Sequence, residues 1–460
     1  MIDFNNIKHI HFIGIGGIGM SGLAEILLFR GYKVTGSDIK PSEITERLES
    51  KGAKIFYKHE GSNVIGADAV IFTAAVSEEN PEIKQAVLSG IPTFSRAALL
   101  GDLMEESPYS IAISGTHGKT TTTSMVSLIL KNSEKDPTIL VGGDLPEIGG
   151  NVAVGAGDFF VTEACEYRDS FLQMKPNVEI ILNIDSDHLD YFKDIHHIAD
   201  SFSKFADLVP DTGLIVAYAP NAFVASVIKN LDCRVVTYGA QAGFDYTATN
   251  IDFNENGYPG FTICKNGEPL GKIQLKIPGE HNVLNATAAF ACTHTLGAPI
   301  EVIIKTLEAF EGTHRRFDAI GKTSGGAKII DDYAHHPTEI KATLKAASNI
   351  GHDKIWCVFQ PHTYTRTLAL FDEFAGAFTN ADVIILTDIY AAREKNIYRV
   401  HSSDLVSKMV GRAEYKDKQI RYMEKFEEIA DYVNKNAGPN DIVFTMGAGD
   451  IYKVGDLLKA

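Results

Sequence analysis

Apolar residues in this chain fall into short β-rich runs separated by stretches with helical spacing. Residues 8–100 open with "HIHFIGIG", continue with a helix from about Ser21, and then show "KVTGSD", "AKIFY" and "AVIFTAA". Short strands alternating with helices predict βαβ units around a parallel sheet. "IPTFSRAALLGDLMEE" closes this region with a helix. A second α/β pattern starts at "YSIAISGTHGKT" and runs through "DFFVTEAC", "VEIILNIDSDH" and "GLIVAY". A β-rich stretch follows, "DYTATNIDFNENGYPGFTICKNGEPLGKIQLKIPG", in which the turn signal Asn-Gly occurs twice. A helix then begins at about "HNVLNATAAFACTHTLG". A third α/β pattern opens near "GTHRRFDAIG", with strands expected at "AKIIDDY", "KIWCVFQP", "DVIILTDIY" and "DIVFTMGAG". Boundaries near residues 105 and 312 give three expected domains: 1–105, 106–312 and 313–460.

Two glycine-rich turns stand out, about a hundred residues apart. "GIGGIG" places Gly14, Gly16 and Gly19 between a strand and a helix, with Gly17 among them and Asp38 after the next strand. That is a dinucleotide fingerprint in its expected context. Gly14 permits a tight turn, and Gly16 lets the backbone approach a pyrophosphate at the helix N-terminus. Taken alone it suggests a nicotinamide oxidoreductase, or a tight turn that only packs helix against strand. The physics of the loop recognises any diphosphate.

The second turn, "SGTHGKTTTT", resembles a P-loop with a shortened spacing: only Thr116 and His117 separate Gly115 from Gly118. The working parts remain. Successive N–H groups form an anion nest, Lys119 reaches β/γ-phosphates, and Thr120, followed by Thr121, offers a hydroxyl to Mg²⁺. Downstream, Glu163 and Glu166 follow one apolar strand, and Asp185, Asp187 and His188 follow another. Side chains at the C-terminal ends of adjacent parallel strands converge on one crevice. A carboxylate and an imidazole there suit a divalent ion held mainly by phosphates and water.

Composition narrows the class. The 460 residues are too many for one core, and at roughly 100–200 residues per domain two to four domains are expected. Apolar residues make up 45% and charged residues 22%, an ordinary globular balance. A formal charge of −16 excludes a nucleic-acid scaffold, which needs a basic face, but not anionic small ligands. The five cysteines are scattered and form no CxxC pair, so neither a disulfide framework nor a zinc ribbon is indicated. No leader pattern opens the chain, and no apolar run reaches the roughly 20 residues of a membrane helix. A cytoplasmic protein without membrane contact is expected.

In order along the chain, "GTHGKTTT", "TEACEYRDSF", "NIDSDHLD", "PGEHNVLNA", "RRFD", "DDYAHHPTE" and "QPHTYTRT" resemble the Mur ligases of bacterial peptidoglycan synthesis. The resemblance runs from about Lys8 to Gly449. It implies three α/β domains: an N-terminal Rossmann-like domain, a central P-loop-type ATP-binding domain and a C-terminal Rossmann-like domain. It also implies ATP-dependent joining of L-alanine to UDP-N-acetylmuramate through an acyl phosphate, with Mg²⁺, by a monomer or weak homodimer. The first turn would then hold the UDP-sugar diphosphate (Gly14, Gly16, Gly17, Gly19, Asp38). The second would hold ATP (Gly115, Thr116, Gly118, Lys119, Thr120, Thr121).

The resemblance also implies roles further along. Lys119 would neutralise the phosphates. Thr120 and Glu163 would hold one Mg²⁺, and His188 a second. Asn282 and Asn285 would face adenine, where an amide offers both donor and acceptor, although Asn282 also suits a helix N-cap. Arg316 would reach phosphate, and Asp332 the ribose, with Asp331 competing by position. His336, His362 and Arg366 would form the amino-acid site, Arg366 by forking onto a carboxylate. Two departures matter. Thr363 stands where some relatives carry Arg, and Phe202 stands where several siblings carry a carbamylated Lys, so no carbamylated lysine is expected. Three other readings remain: a ligase that attaches a whole tripeptide to the same sugar, a nicotinamide oxidoreductase, and a non-catalytic nucleotide-binding module.

Overall fold

Three sheets correspond to the three patterns in the computed structural model, which describes the chain apart from Met1, Asp3, Asn5, Ala74, Ala75 and Glu78. The end of the expected "AVIFTAA" run therefore lies outside the described residues. The first sheet has five parallel strands, with His9–Ile13 at its centre between Lys33–Ser37 and Ala69–Phe72. The helix after the first glycine turn spans Ile18–Phe29, three residues earlier than the pattern predicts. It docks on the second sheet: the Ile18 carbonyl accepts from Asn151 Nδ2 at 3.0 Å, and Asn151 Oδ1 accepts from Arg47 at 2.9 Å.

The second sheet has ten strands, with Tyr109–Ser114 between Val178–Ile181 and Phe159–Glu163. Its far end is an antiparallel meander of Tyr246–Phe253, Pro259–Lys265 and Glu268–Gln274. Asn266 (φ 50°) and Gly267 (φ 84°) form the turn between the last two, the left-handed pair that an Asn-Gly hairpin requires. The third sheet has six strands around Ile442–Met446, and one edge strand, Asp318–Lys322, runs antiparallel. Ile355–Phe359 and Ile442–Met446 are buried at every position, as expected of parallel strands covered on both faces. Among the described residues no helix is long and apolar enough to cross a membrane.

Some strands carry no clear pattern. Thr93–Ser95 has only three residues, and Thr138–Leu145 is interrupted by Gly142 and Gly143. Those two glycines have a steric reason. A Cβ on Gly142 would stand 2.8 Å from a Glu163 oxygen, and one on Gly143 would stand 3.2 Å from the Thr120 methyl group. The strand is thinned where it passes the second glycine turn.

Candidate active site

The second turn joins the strand Tyr109–Ser114 to the helix Lys119–Asn132. Gly115 (φ 136°) and Gly118 (φ 86°) hold conformations closed to other residues. A Cβ on Gly118 would also meet Asn285 Oδ1 at 2.7 Å, so the helix of Asn285 packs directly on the turn. Lys119 folds back over the loop. Its ammonium donates to the carbonyls of Gly115 and Thr116 and to the Glu166 carboxylate at 2.9 Å. Burial alone would lower the Lys119 pKa, but Glu166 outweighs it and the net shift is upward, so the cation persists.

Thr120, Glu163 and His188 test the fit of a divalent ion. Glu163 Oε1 accepts the Gly142 N–H at 2.6 Å, while Oε2 and the Thr120 hydroxyl take no hydrogen bond among the described residues. These are hard oxygen donors of the kind Mg²⁺ prefers. His188 lies 3.8 Å from both Glu166 and Asp187. Glu166, buried, thus links Lys119 to His188. A second donor cluster, His117, Asp185 and His336, has ligand atoms within 4.8 Å of one another. His117 bridges Asp185 (3.2 Å) and Glu339 (3.3 Å). Burial opposes its charge, but the two carboxylates raise its pKa to about 9. His117 thus stands at the centre of an ion-pair network that joins Asp185 to Glu339.

A cavity of about 360 Å³ opens beside the turn, between the second and third sheets. Gly118, Thr121, Asn282, Asn285, Arg316 and Asp332 all line it. Gly279 is the cap residue of the helix Glu280–Thr295, so Asn282 does not cap it. Instead Asn282 Nδ2 donates to the Pro278 carbonyl at 2.7 Å, and Asn282 Oδ1 accepts from Asn285 at 3.0 Å. The two aspartates separate clearly. Asp331 accepts from Arg315 at 2.8 Å and from Thr445 at 2.7 Å, away from the cavity. Asp332 borders the cavity and accepts the N–H groups of Phe317 and Ala334 at 2.9 and 2.7 Å. Burial raises its pKa to about 6. Arg316 lies across the Tyr333 ring, 5.1 Å from its centroid.

A second cavity, of about 300 Å³, is bordered by Asp187, His188, His362 and Arg366. Arg366 forks onto Asp187, with Nε and Nη2 at 2.9 and 3.3 Å from its two oxygens. His336 does not line this cavity. It caps the helix Pro337–Ala347 through Nδ1, while Nε2 meets the Ser186 carbonyl at 2.9 Å. Phe202 is fully buried in the core, where a lysine would have no solvent.

The first turn lies apart from both cavities. Gly16 donates its N–H to Asp38 Oδ2 at 2.7 Å, and Ile39 donates to Oδ1 at 2.7 Å, so Asp38 ties the turn to the second strand. Below it the buried Glu82 accepts from Ser37 (2.6 Å) and Asn63 (2.6 Å) and meets His59 at 2.9 Å. Burial opposes its charge, yet these groups and His11 together hold its pKa down to about 2.

Family patterns match all three regions: "Mur ligase family, catalytic domain" over residues 9–108, "Mur ligase middle domain" over 113–293, and "Mur ligase, glutamate ligase domain" over 315–449. A curated UDP-N-acetylmuramate–L-alanine ligase from Acetivibrio thermocellus is 52% identical, covering 99% of this chain and 97% of its own. The chain belongs to the Mur ligase family. A second such ligase, from Alkaliphilus metalliredigens, is 50% identical over 100% of this chain and 98% of its own. Among solved structures, the UDP-N-acetylmuramate-alanine ligase of Thermotoga maritima superposes with a TM-score of 0.81 at 32% identity, covering 97% of each chain. As a Mur ligase, the protein has its cavities where the middle and glutamate-ligase regions meet. Sequence reasoning gave no role to Asp187 as the partner of Arg366, or to Glu339 as the partner of His117. Glu339 had a usable signal: it stands three residues after His336 in a capping-box spacing.

Proposed function

We propose that this Mur ligase joins L-alanine to UDP-N-acetylmuramate at the expense of ATP, in peptidoglycan precursor synthesis. What supports the reading is one chain of contacts. Lys119 of the phosphate loop is bound to Glu166, Glu166 lies beside His188, and His188 borders the second cavity. A nucleotide lying along the first cavity would therefore present its terminal phosphate toward the second. The division 1–105, 106–312 and 313–460 goes with this reading, as regions for UDP-sugar, ATP and amino acid.

A carboxylate is a poor electrophile because its leaving group would be oxide. Attack of the sugar carboxylate oxygen on the γ-phosphorus expels ADP and gives an acyl phosphate. The neutral amine of alanine then attacks the carbonyl carbon, phosphate leaves, and the amine gives up a proton. Lys119 holds positive charge against the β/γ-phosphates, and the N–H groups of residues 115–118 cradle them. Asn282, Asn285 and Asp332 border the space for the nucleoside, with Arg316 at its phosphate side. Mg²⁺, one ion held by Thr120 and Glu163 and a second by His188, would supply neutralisation of phosphate charge.

The test is incubation with radiolabelled L-alanine and UDP-N-acetylmuramate, with and without ATP. Label should enter the UDP-sugar only with ATP, with one phosphate released per amide. A tripeptide used in preference to alanine, or no ATP requirement, would overturn the reading.

A further inference from the structure

The geometry points to two crossed tyrosine–aspartate pairs, Tyr167 with Asp190 and Tyr191 with Asp169, as positioning residues that hold Glu166 and His188 opposite one another. The inference rests on the ligase reading and deepens it. Glu166 lies in the segment after Phe159–Glu163, and His188 in the segment after Val178–Ile181. These strands are not neighbours: Tyr109–Ser114, which leads into the phosphate turn, lies between them. The two segments therefore need links of their own to meet beside the turn, where His188 stands 3.8 Å from Glu166. They exchange a bond in each direction. The Tyr167 hydroxyl donates to Asp190 Oδ2 at 2.9 Å, and the Tyr191 hydroxyl donates to Asp169 Oδ2 at 2.5 Å. The Tyr167 ring also lies against the His188 ring, with centroids 4.7 Å apart.

The backbone is strained where these bonds act. Arg168 (φ 54°, ψ 37°) and Asp169 (φ 54°, ψ 24°) are consecutive left-handed residues, and His188 has φ 52°. Residues other than Gly hold that conformation only where their surroundings enforce it. Asp169 is fixed on three sides. Its N–H donates to the Glu166 carbonyl at 3.0 Å, Oδ2 accepts from Tyr191, and Oδ1 accepts from Ser201 of the helix Ile195–Ala206. Two residues on, Phe171 anchors the segment in the core by stacking on Phe205, with centroids 4.4 Å apart. On the other side, the Tyr191 and Phe192 N–H groups both donate to the His188 carbonyl at 2.9 Å. The Asp169–Tyr191 bond therefore fixes a tight turn that begins at His188, while Asp169 itself closes on the carbonyl of Glu166. One contact sets the backbone of both side chains. Lys119 holds the Glu166 carboxylate independently, so loss of the contact releases His188 first.

The test reads the ligase rate and the ligand-free protein separately. Tyr191→Phe and Asp169→Ala should each lower kcat roughly 10-fold, the scale of a slightly misplaced group, with KM for ATP and UDP-N-acetylmuramate within about 3-fold of wild type. Asp169→Asn should keep most of the rate, because its amide oxygen still accepts from Tyr191 and Asn tolerates the left-handed backbone. Asp169→Gly should be as slow as Asp169→Ala, since it relieves the backbone but has no acceptor. Without ligands, the Tyr191 and Phe192 amides should exchange with deuterium at least about 10-fold faster in Tyr191→Phe and Asp169→Ala, and at the wild-type rate in Asp169→Asn. A lower melting midpoint with unchanged kcat would make the pairs structural only and overturn the assignment. So would Asp169→Gly with the rate of Asp169→Asn, which would trace the effect to the backbone and not to the bond. Unchanged exchange in Tyr191→Phe overturns it whatever the rate. A wild-type protein that forms no amide overturns the ligase reading, and the exchange rates then still decide whether the crossed pairs hold the turn at His188.

Discussion

Lys119 is held by three acceptors, and that arrangement sets what its loss would do. The Glu166 carboxylate and two loop carbonyls keep the ammonium over the turn before any phosphate arrives. Lys119→Ala removes an oriented cation and leaves the glycine turn in place, so the protein should fold while kcat drops about 10²–10³-fold. Wild-type kcat in that variant would remove Lys119 from the chemistry. A buried acid lies beside the end of Tyr109–Ser114, the strand that leads into the turn. Glu179 is fully buried; it accepts from Ser114 at 2.7 Å, and its second oxygen has no partner among the described residues. Burial raises its pKa to about 8, well above the ordinary carboxylate value. The folded protein therefore keeps the proton that the unfolded chain releases, and stability falls as pH rises from the ordinary value toward 8. Glu179→Gln should flatten the thermal-denaturation profile across that window and leave the protein more stable than wild type at pH 8. A variant with the wild-type pH slope would show that Glu179 is not the group responsible.

At the scale of elements, the legible parts were those with strong local signals. Long apolar strands and glycine turns were readable because βαβ order and backbone geometry are written in neighbouring residues. Glu163 ends one of these strands and accepts the Gly142 N–H, and His188 follows another and lies beside Glu166. What could not be read was pairing across the molecule. Nothing local shows that Asp187 meets Arg366 179 residues away, or that Asp331 turns to Arg315 while Asp332 borders the cavity. Asn282 looked like a cap by position, but the chain enters that helix through Gly279 at φ 98° instead. Gly118 shows how local and distant constraints combine. Its φ of 86° asks for glycine, and Asn285 of a later helix fills the space a side chain would need. Gly118→Ala should cost on the order of 1–2 kcal/mol in stability. It should also weaken ATP binding at least about 10-fold, by pushing Asn285 and the loop apart. Calorimetric titration with ATP checks this; unchanged affinity would mean the loop accommodates a methyl group.

The whole molecule places its chemistry at a junction, and the junction is built from ionic and polar links. From the middle region, His117, Asp185, Ser186 and Asp187 reach Glu339, Thr338, His336 and Arg366 of the third. Within-chain interfaces of this polar kind are the ones along which domains move. His117 is the titratable member in an accessible range. It faces Asp185 and Glu339 directly, stacks near His336 with centroids 4.7 Å apart, and has His281 nearby. Its pKa, about 9, lies above the ordinary imidazole value, and Glu339 is held well below its own. The folded protein therefore binds a proton on His117 that the unfolded chain has already lost near neutrality. The stabilisation is complete below the ordinary imidazole pKa of about 6.5 and is lost as pH rises through about 9. Its size should be on the order of 1–3 kcal/mol for a mostly buried link. The wild-type melting midpoint should fall several degrees between pH 7 and pH 10, and the scattering radius of gyration should grow as the third region loosens from the middle one. His117→Gln, with no charge to lose, should lack that part of the pH dependence in both measurements. Parallel profiles for the two proteins would mean that the His117–Glu339 link does not hold the junction, and that Arg366–Asp187 carries it.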